Sequence, residues 1–299
     1  MQFQKALDAY MQWLRVERNL APRTREAYRY DLERFQAWLQ EVLGRDELGL
    51  CNQEVIQDYL RHLRDDLLCK SPTVNRCFAS LEGFFAHATR EGWIPENPFQ
   101  LLSRCKLPQK LPVYLSEEEL NRLFSVPDVS TVKGARDFAI LKTLGYGGLR
   151  VSELVGINTQ HLDFSGDTLR VFGKGRKERL VPLNALLVTA IRQYLEHPDR
   201  VPAPEEKALF LNQRGGRLSV RAVQYLVDEY ALAAGLDKDA LSPHKLRHTF
   251  ATLLHSRDVD LIDIQALLGH ASLASTQIYT HTDTRRLKQT IALLDFEGK

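Results

Sequence analysis

The sequence lacks several features that would place it in a class of protein outright. Its 299 residues include only four cysteines, with no C-x-x-C pair and so no zinc pattern. We expect free thiols, although two disulfides would also fit the count. No stretch approaches the ~18 uninterrupted apolar residues of a membrane span. The N-terminal segment carries charges where a signal peptide would be apolar. These absences predict a cytoplasmic globular protein with no membrane insertion.

The sequence also lacks a dominant charge. The formal net charge is +2, and acidic and basic residues nearly balance both in the first 115 residues and in the rest. Composition therefore singles out no nucleic-acid partner, and any DNA-binding surface has to be a local patch. The length favours two domains, each with its own core.

Helical periodicity dominates the first hundred residues and predicts a helical domain over 1–103. Four helices are expected, near residues 1–15, 22–43, 53–67 and 71–92, the last with Ser71 as its cap. Four prolines between Pro95 and Pro112 then predict an interdomain linker, placed at 104–115.

The second domain, 116–299, opens with a capping box in which Ser116 is the cap and Glu119 the third helical residue. Its pattern is mainly helical, with a β-hairpin around residue 175. Helices are predicted at 135–145, 184–196, 219–234 and from Pro243, the last with Ser242 as its cap. Strands are predicted at 167–172, 179–183 and 208–211. The predicted fold class is mainly α, with a small β-hairpin or sheet in the second domain.

An ordered series of cationic and imidazole side chains runs through the second domain. Arg150 follows a double glycine, and Glu153 is spaced to hold its guanidinium. His244 and Arg247 share one face in the first turn of a helix, where free N–H groups favour an anion. Each motif alone is more often structural or simply solvated.

Three further residues extend the series. Lys174 occupies the tip of a basic hairpin, His270 follows the predicted helix-ending Gly269, and Tyr279 lies nine residues beyond His270. In this order the six side chains could bind one phosphodiester, neutralise its charge and attack it with a phenol oxygen. Candidate DNA contacts are Lys177, Arg179, Arg221, Arg25 and Arg29.

These motifs resemble the tyrosine recombinase (phage integrase) family, and within it the bacterial Xer type, which includes XerC and XerD. The specific segments are GLRVSEL at 148–154, GKGRKER at 173–179, SPHKLRH at 242–248 and residues 267–281. The resemblance implies a two-domain, C-shaped DNA clamp. Residues 1–103 would form the helical, SAM-like core-binding domain and 116–299 the catalytic domain.

The resemblance also implies a role for each residue of the series. Tyr279 would be the nucleophile that forms a 3′-phosphotyrosyl link, and Lys174 the general acid. Arg150 and Arg247 would bind the phosphate, and His244 and His270 would complete its pocket. Glu153 would support them. No metal and no cofactor are implied.

Partners and alternatives follow from the same resemblance. Expected partners are a double-stranded DNA recombination site, a homo- or hetero-tetramer with a second Xer recombinase, and a septal DNA translocase as a candidate activator. We expect no N-terminal arm-binding domain, and residues 247–270 leave no room for an insertion between Arg247 and His270. Both features favour resolution of chromosome and plasmid dimers. The alternatives are an integrase of a mobile element and a non-catalytic DNA-binding protein. XerC and XerD are not distinguished.

Overall fold

A computed structural model describes residues 1–105, 114–173, 178–201, 207–237, 241–269 and 289–294. The chain divides into two compact units, Met1–Lys110 and Leu111–Lys299, and each is described by itself. Most of the predicted linker, 104–115, lies outside the described residues. Within the described ranges, no helix is both long enough and apolar enough to cross a membrane.

Helices make up the described part of unit 1. A 3₁₀ turn precedes the third helix and a π-helical stretch, His62–Asp66, extends it. The elements are α1 (Phe3–Val16), α2 (Pro22–Leu43), α3 (Gln53–Arg61) and α4 (Ser71–Arg90). The four predicted helices are therefore confirmed. The predicted cap of α4 is wrong, because Lys70 holds the cap position and Ser71 is already helical. Proline is accepted throughout the first turn, so it does not fix the first residue.

Aromatic side chains fill the core of unit 1. Phe3 and Phe84 are fully buried, with ring centroids 5.0 Å apart. The buried carboxylate of Asp31 accepts hydrogen bonds from Arg76 and Ser80, both at 2.8 Å, and so joins α2 to α4. All four cysteines are free thiols, which confirms the preferred interpretation of their spacing.

Unit 2 combines helices with a small antiparallel sheet. Among the described residues the strands are ordered β1–β2–β3, and Val171 of β2 pairs with Arg179 of β3. The elements are α5 (Glu117–Ser125), α6 (Val132–Gly147), α7 (Val151–Val155), β1 (Leu162–Asp163), β2 (Thr168–Phe172), β3 (Glu178–Pro182), α8 (Ala185–Leu195), α9 (Val220–Ala233), α10 (Pro243–His255) and α11 (Leu261–Leu268). The predicted mainly α fold with a small sheet is confirmed.

Two helix starts follow the predicted cap chemistry. The Ser116 hydroxyl accepts from the Glu119 N–H at 3.2 Å, while the Glu119 carboxylate accepts from the Ser116 N–H at 2.9 Å. At α10, the Ser242 hydroxyl accepts from the Lys245 N–H at 3.2 Å, and Pro243 is the first helical residue. Serine at each cap satisfies an N–H that the helix cannot.

Two other predictions are wrong. Helix α6 continues to Gly147 rather than ending at residue 145, because Gly148, with φ 58°, is the first residue that leaves the helical conformation. Residues 208–211 form no strand and make only isolated bridges, to Asn158 and Arg217. Their apolar character reflects burial in the core of unit 2 and not pairing in a sheet.

Helix α6 is the central helix of unit 2 and packs against α8 and α10. Its buried Asp137 accepts hydrogen bonds from Arg136 at 2.8 Å and from the Tyr230 hydroxyl at 3.1 Å, which joins α6 to α9. Lys133 lies 3.2 Å from the same carboxylate. The C-terminal end of this fixed helix leads directly to Arg150.

Candidate active site

The turn between α6 and α7 positions Arg150. Gly148 adopts φ 58°, and a Cβ there would lie 2.5 Å from Cδ1 of Phe250, so only glycine fits. Arg150 follows as the cap of α7. Its backbone N–H donates to Oε2 of Glu153 at 2.9 Å and its Nη1 donates to Oε1 at 2.8 Å. The contact expected from the three-residue spacing is therefore present.

Arg247 lies on α10 with 6% of its side chain exposed. Nη1 donates to the carbonyl of Gly148 at 2.5 Å, and Nη2 donates to the carbonyl of Leu268 at 2.6 Å. Nη1 also lies 3.8 Å from Oε2 of Glu153. Arg247 thus connects the α6–α7 turn to the end of α11. His244, three residues earlier on α10, is exposed.

Arg179 has a position that sequence reasoning missed. We predicted a DNA contact, but 14% of its side chain is exposed and its Nη1 and Nη2 each donate to a different oxygen of Glu153 at 2.9 Å. Its Nε donates to the carbonyl of Leu267 at 3.1 Å. The two-residue alternation of a strand could have indicated this, because Arg179 shares a face of β3 with the buried Val181.

One carboxylate therefore lies among three guanidinium groups. Burial opposes ionisation of Glu153, yet hydrogen bonds and charge from Arg179, followed by hydrogen bonds from Arg150, lower its pKa to about 2. The pKa of Arg247 is lowered to about 10, by burial first and then by the charge of Arg150. Three positive groups and one negative group leave two positive charges, an environment that favours an anion.

Several predicted residues lie outside the described ranges: Lys174, Lys177, His270 and Tyr279. Gly269, which immediately precedes His270, ends α11 with φ 63° as predicted for a C-cap glycine. A Cβ on Gly269 would lie 2.9 Å from Cδ of Arg179. The described chain therefore reaches the cluster of arginines one residue before His270.

Arg221 lies on the exposed face of α9. Its guanidinium is 5.5 Å from the ring centroid of Tyr225 and donates to the Tyr225 hydroxyl at 3.1 Å. Together with Gln224 it lines an open groove that also includes Ser242 and Pro243. The face of α9 that carries the predicted DNA contact Arg221 thus adjoins the start of the helix that carries Arg247.

Arg25 and Arg29 belong to unit 1, where they line a groove between α1 and α2. The Nε of Arg25 donates to the carbonyl of Leu20 at 3.1 Å. Arg29 lies 3.4 Å from the carboxylates of both Asp8 and Glu33. In this conformation the charge of Arg29 is shared with two acidic neighbours.

Two family models match the sequence. The phage integrase family matches residues 113–286, and the phage integrase N-terminal SAM-like domain matches residues 7–92. The chain therefore belongs to the phage integrase family. It is a tyrosine recombinase, an enzyme that cleaves and rejoins DNA at specific sites.

Individual relatives match along nearly the whole chain. Tyrosine recombinase XerC of Pelotomaculum thermopropionicum is 38% identical over 293 residues, covering 95% of each sequence. Tyrosine recombinase XerD of Yersinia pestis is 38% identical over 285 residues, covering 95% of this chain and 94% of that one. Among solved structures, the XerH site-specific recombinase bound to palindromic difH substrate in a post-cleavage complex has a TM-score of 0.70 at 26% identity. This match covers 91% of the present chain and 80% of the XerH chain.

Proposed function

We propose that this recombinase is of the Xer type and resolves chromosome dimers, and plasmid dimers, to monomers before segregation at cell division. The observation that carries its cleavage chemistry is the cluster in which Glu153 lies among Arg150, Arg179 and Arg247, so that two positive charges are left over. The match to relatives named XerC and XerD, over 95% of this chain, supports the biological task. Residues 1–103 would hold the DNA core site and 116–299 would catalyse cleavage, in the cytoplasm.

The proposed reaction is a pair of transesterifications. The Tyr279 oxygen attacks the scissile phosphorus and its phenol proton passes to a histidine of the pocket, His244 or His270. The bond to the 5′-oxygen breaks, and a 3′-phosphotyrosyl link forms. Lys174 donates a proton to the leaving 5′-oxygen. A 5′-hydroxyl from the partner strand then attacks the phosphotyrosyl link and releases Tyr279. Because each step exchanges one phosphoester for another, the cycle needs no external energy source.

The two arginines are suited to different parts of the phosphate. Arg150 has 42% of its side chain exposed and can meet the incoming DNA. Arg247 is buried, but a guanidinium has five N–H donors, and two bonds to backbone carbonyls leave others for a non-bridging oxygen. Both groups are already oriented, so they stabilise the developing charge without rearrangement. His244 and His270 would hydrogen-bond the same phosphate.

The proposal includes partners. Two DNA sites would be brought together by four protomers, either four copies of this chain or copies paired with a second Xer recombinase, and a septal DNA translocase would activate cleavage. On each site, Arg221 of α9 and Arg25 and Arg29 of α2 would contact bases, while Lys177 would contact the DNA backbone.

A nicked substrate that traps the covalent intermediate tests the chemistry. Genomic footprinting of the bound protein supplies the site, and the wild type should then form a covalent complex with it. Tyr279→Phe should bind this DNA and form no complex, because it lacks the nucleophilic oxygen. Tyr114→Phe is the matched control, since Tyr114 is an exposed tyrosine outside the proposed site. Equal covalent complex with Tyr279→Phe would contradict the mechanism.

The footprint also separates the biological tasks. A dimer-resolving enzyme should occupy one short, palindrome-like chromosomal site. An integrase of a mobile element should instead occupy the ends of that element. A non-catalytic DNA-binding protein would give a footprint with no covalent complex on the nicked substrate.

A further inference from the structure

Arg179 contacts two elements of the candidate active site, α7 and α11. Its terminal nitrogens form a two-pronged ion pair with Glu153, at 2.9 Å on each side. Its Nε donates to the carbonyl of Leu267 in the last turn of α11, where cations are favoured by the helix dipole. One side chain of β3 therefore joins the start of α7 to the end of α11.

The end of α11 is closely fitted to this guanidinium. The Leu267 carbonyl accepts from Arg179, and the next carbonyl, of Leu268, accepts from Arg247. Gly269 follows with φ 63°, and a Cβ there would lie 3.0 Å from Nη1 of Arg179. His270 is the next residue along the chain, and Tyr279 follows nine residues later. Arg179 therefore helps to fix the point at which the segment with these two residues begins.

Glu153 depends on Arg179 more than on any other side chain. Arg150 gives the carboxylate one side-chain bond and Arg247 lies at 3.8 Å, whereas Arg179 supplies two bonds at 2.9 Å. A planar guanidinium matches both carboxylate oxygens, and an ammonium group cannot. Without this fork, the carboxylate could rotate away from Arg150.

We propose that Arg179 is a positioning residue for DNA cleavage, which orients Glu153 towards Arg150 and Arg247 and fixes the end of α11, and that it does not contact DNA. This inference rests on the proposed function, because it assigns Arg150 and Arg247 to the phosphate. It replaces the phosphate contact that the sequence suggested for Arg179. With 14% of its side chain exposed and its fork taken by Glu153, the guanidinium has little surface to offer DNA.

Two substitutions in the full-length protein test the inference on the nicked substrate. Arg179→Lys keeps the charge and loses the fork, so covalent complex formation should slow by about 100-fold while DNA affinity holds, since small misplacement at a reacting centre has that effect. Arg179→Gln removes the charge, yet the slope of log affinity against log salt should not change. A lost phosphate contact would reduce that slope by about 0.9. Arg170→Gln, an exposed arginine on β2 of the same sheet, is the matched control.

A pH profile separates positioning from a general loss of structure. Arg179→Lys should weaken the hydrogen bonding of Glu153 and so raise the pKa of that carboxylate. The cleavage rate should therefore begin to fall at a higher pH than in the wild type. The inference is overturned if Arg179→Lys cleaves at the wild-type rate, if its acid limb is unmoved, or if Arg179→Gln lowers the salt slope. If Arg179→Gln does not fold, the rate and pH profile of Arg179→Lys decide. Failure of the wild type to form a covalent complex would instead refute the proposed function.

Discussion

Replacing Glu153 by glutamine should destabilise unit 2 strongly, although the change is nearly isosteric. The carboxylate has 3% of its side chain exposed and lies among three guanidinium groups. Glutamine keeps one acceptor oxygen, but its amide group would point N–H donors at a guanidinium. The substitution therefore leaves buried positive charge without a counter-ion.

Two independent arguments give the same magnitude. The pKa of Glu153 falls from 4.5 to about 2, which corresponds to about 3 kcal/mol in favour of the folded, ionised form. Removing one partner of a buried ion pair typically costs roughly 3–5 kcal/mol. We therefore expect Glu153→Gln to lower the free energy of unfolding by about 3 kcal/mol at neutral pH.

Urea unfolding can resolve this change, because tryptophan fluorescence reports the unfolding of unit 1 alone. All three tryptophans, at positions 13, 38 and 93, lie in unit 1, so their fluorescence reports that unit, while far-UV circular dichroism reports both. With a slope of about 2 kcal/mol per M, the circular dichroism transition of unit 2 should move down by roughly 1.5 M. The tryptophan transition should stay in place.

An exposed carboxylate of the same unit provides the control. Glu196 has 70% of its side chain exposed and lies 3.7 Å from Arg192, so Glu196→Gln should change stability by no more than about 0.5 kcal/mol. A loss for Glu153→Gln as small as that of the control would refute the reasoning. The carboxylate would then not hold the arginines together.

Three further predictions follow from the same contacts. The folded pKa of Glu153, about 2, lies below its unfolded value of 4.5, so its stabilisation is complete above that value and is lost as the pH falls towards 2. The stability gap between wild type and Glu153→Gln should therefore narrow in acid urea titrations. Gly148→Ala should cost about 3 kcal/mol in thermal unfolding, from left-handed strain plus collision with Phe250, whereas Gly235→Ala, with φ 68° and open space, should cost about 1 kcal/mol. Arg247→Lys should reduce cleavage far more than DNA affinity in paired assays, because an ammonium group cannot reach both carbonyls that Arg247 holds.

Local chemistry made much of the fold predictable. The capping box of Ser116, the cap of Ser242 and the proline at the start of α2 act within one helical turn, so sequence spacing is enough to find them. The errors arose where tertiary burial decided the outcome. The apolar residues 208–211 satisfy a strand pattern but are buried beside helices, and periodicity cannot separate these cases.

Sequence spacing predicts one contact of the candidate active site and misses the others. Arg150 and Glu153 are three residues apart in the sequence, so their pairing could be predicted from spacing. The pairing of Glu153 with Arg179 spans 26 residues, and Arg247 donates to a carbonyl 99 residues away, so neither has a local signature. In the sequence Arg179 is one of several basic residues of a basic hairpin, and only the fold shows that it faces Glu153.

An acidic residue at the centre of a proposed phosphate site resolves two opposing requirements. Arginines that await DNA must be oriented beforehand, yet neighbouring guanidinium groups repel one another: burial lowers the pKa of Arg247, and the charge of Arg150 lowers it further. Without a carboxylate, repulsion would drive the three guanidinium groups apart. With one carboxylate per arginine, the cluster would have no net positive charge left for the anion. Glu153 shared among three arginines orients them and leaves two positive charges. In the proposed complex, the phosphate of bound DNA would supply the negative charge that the cluster lacks.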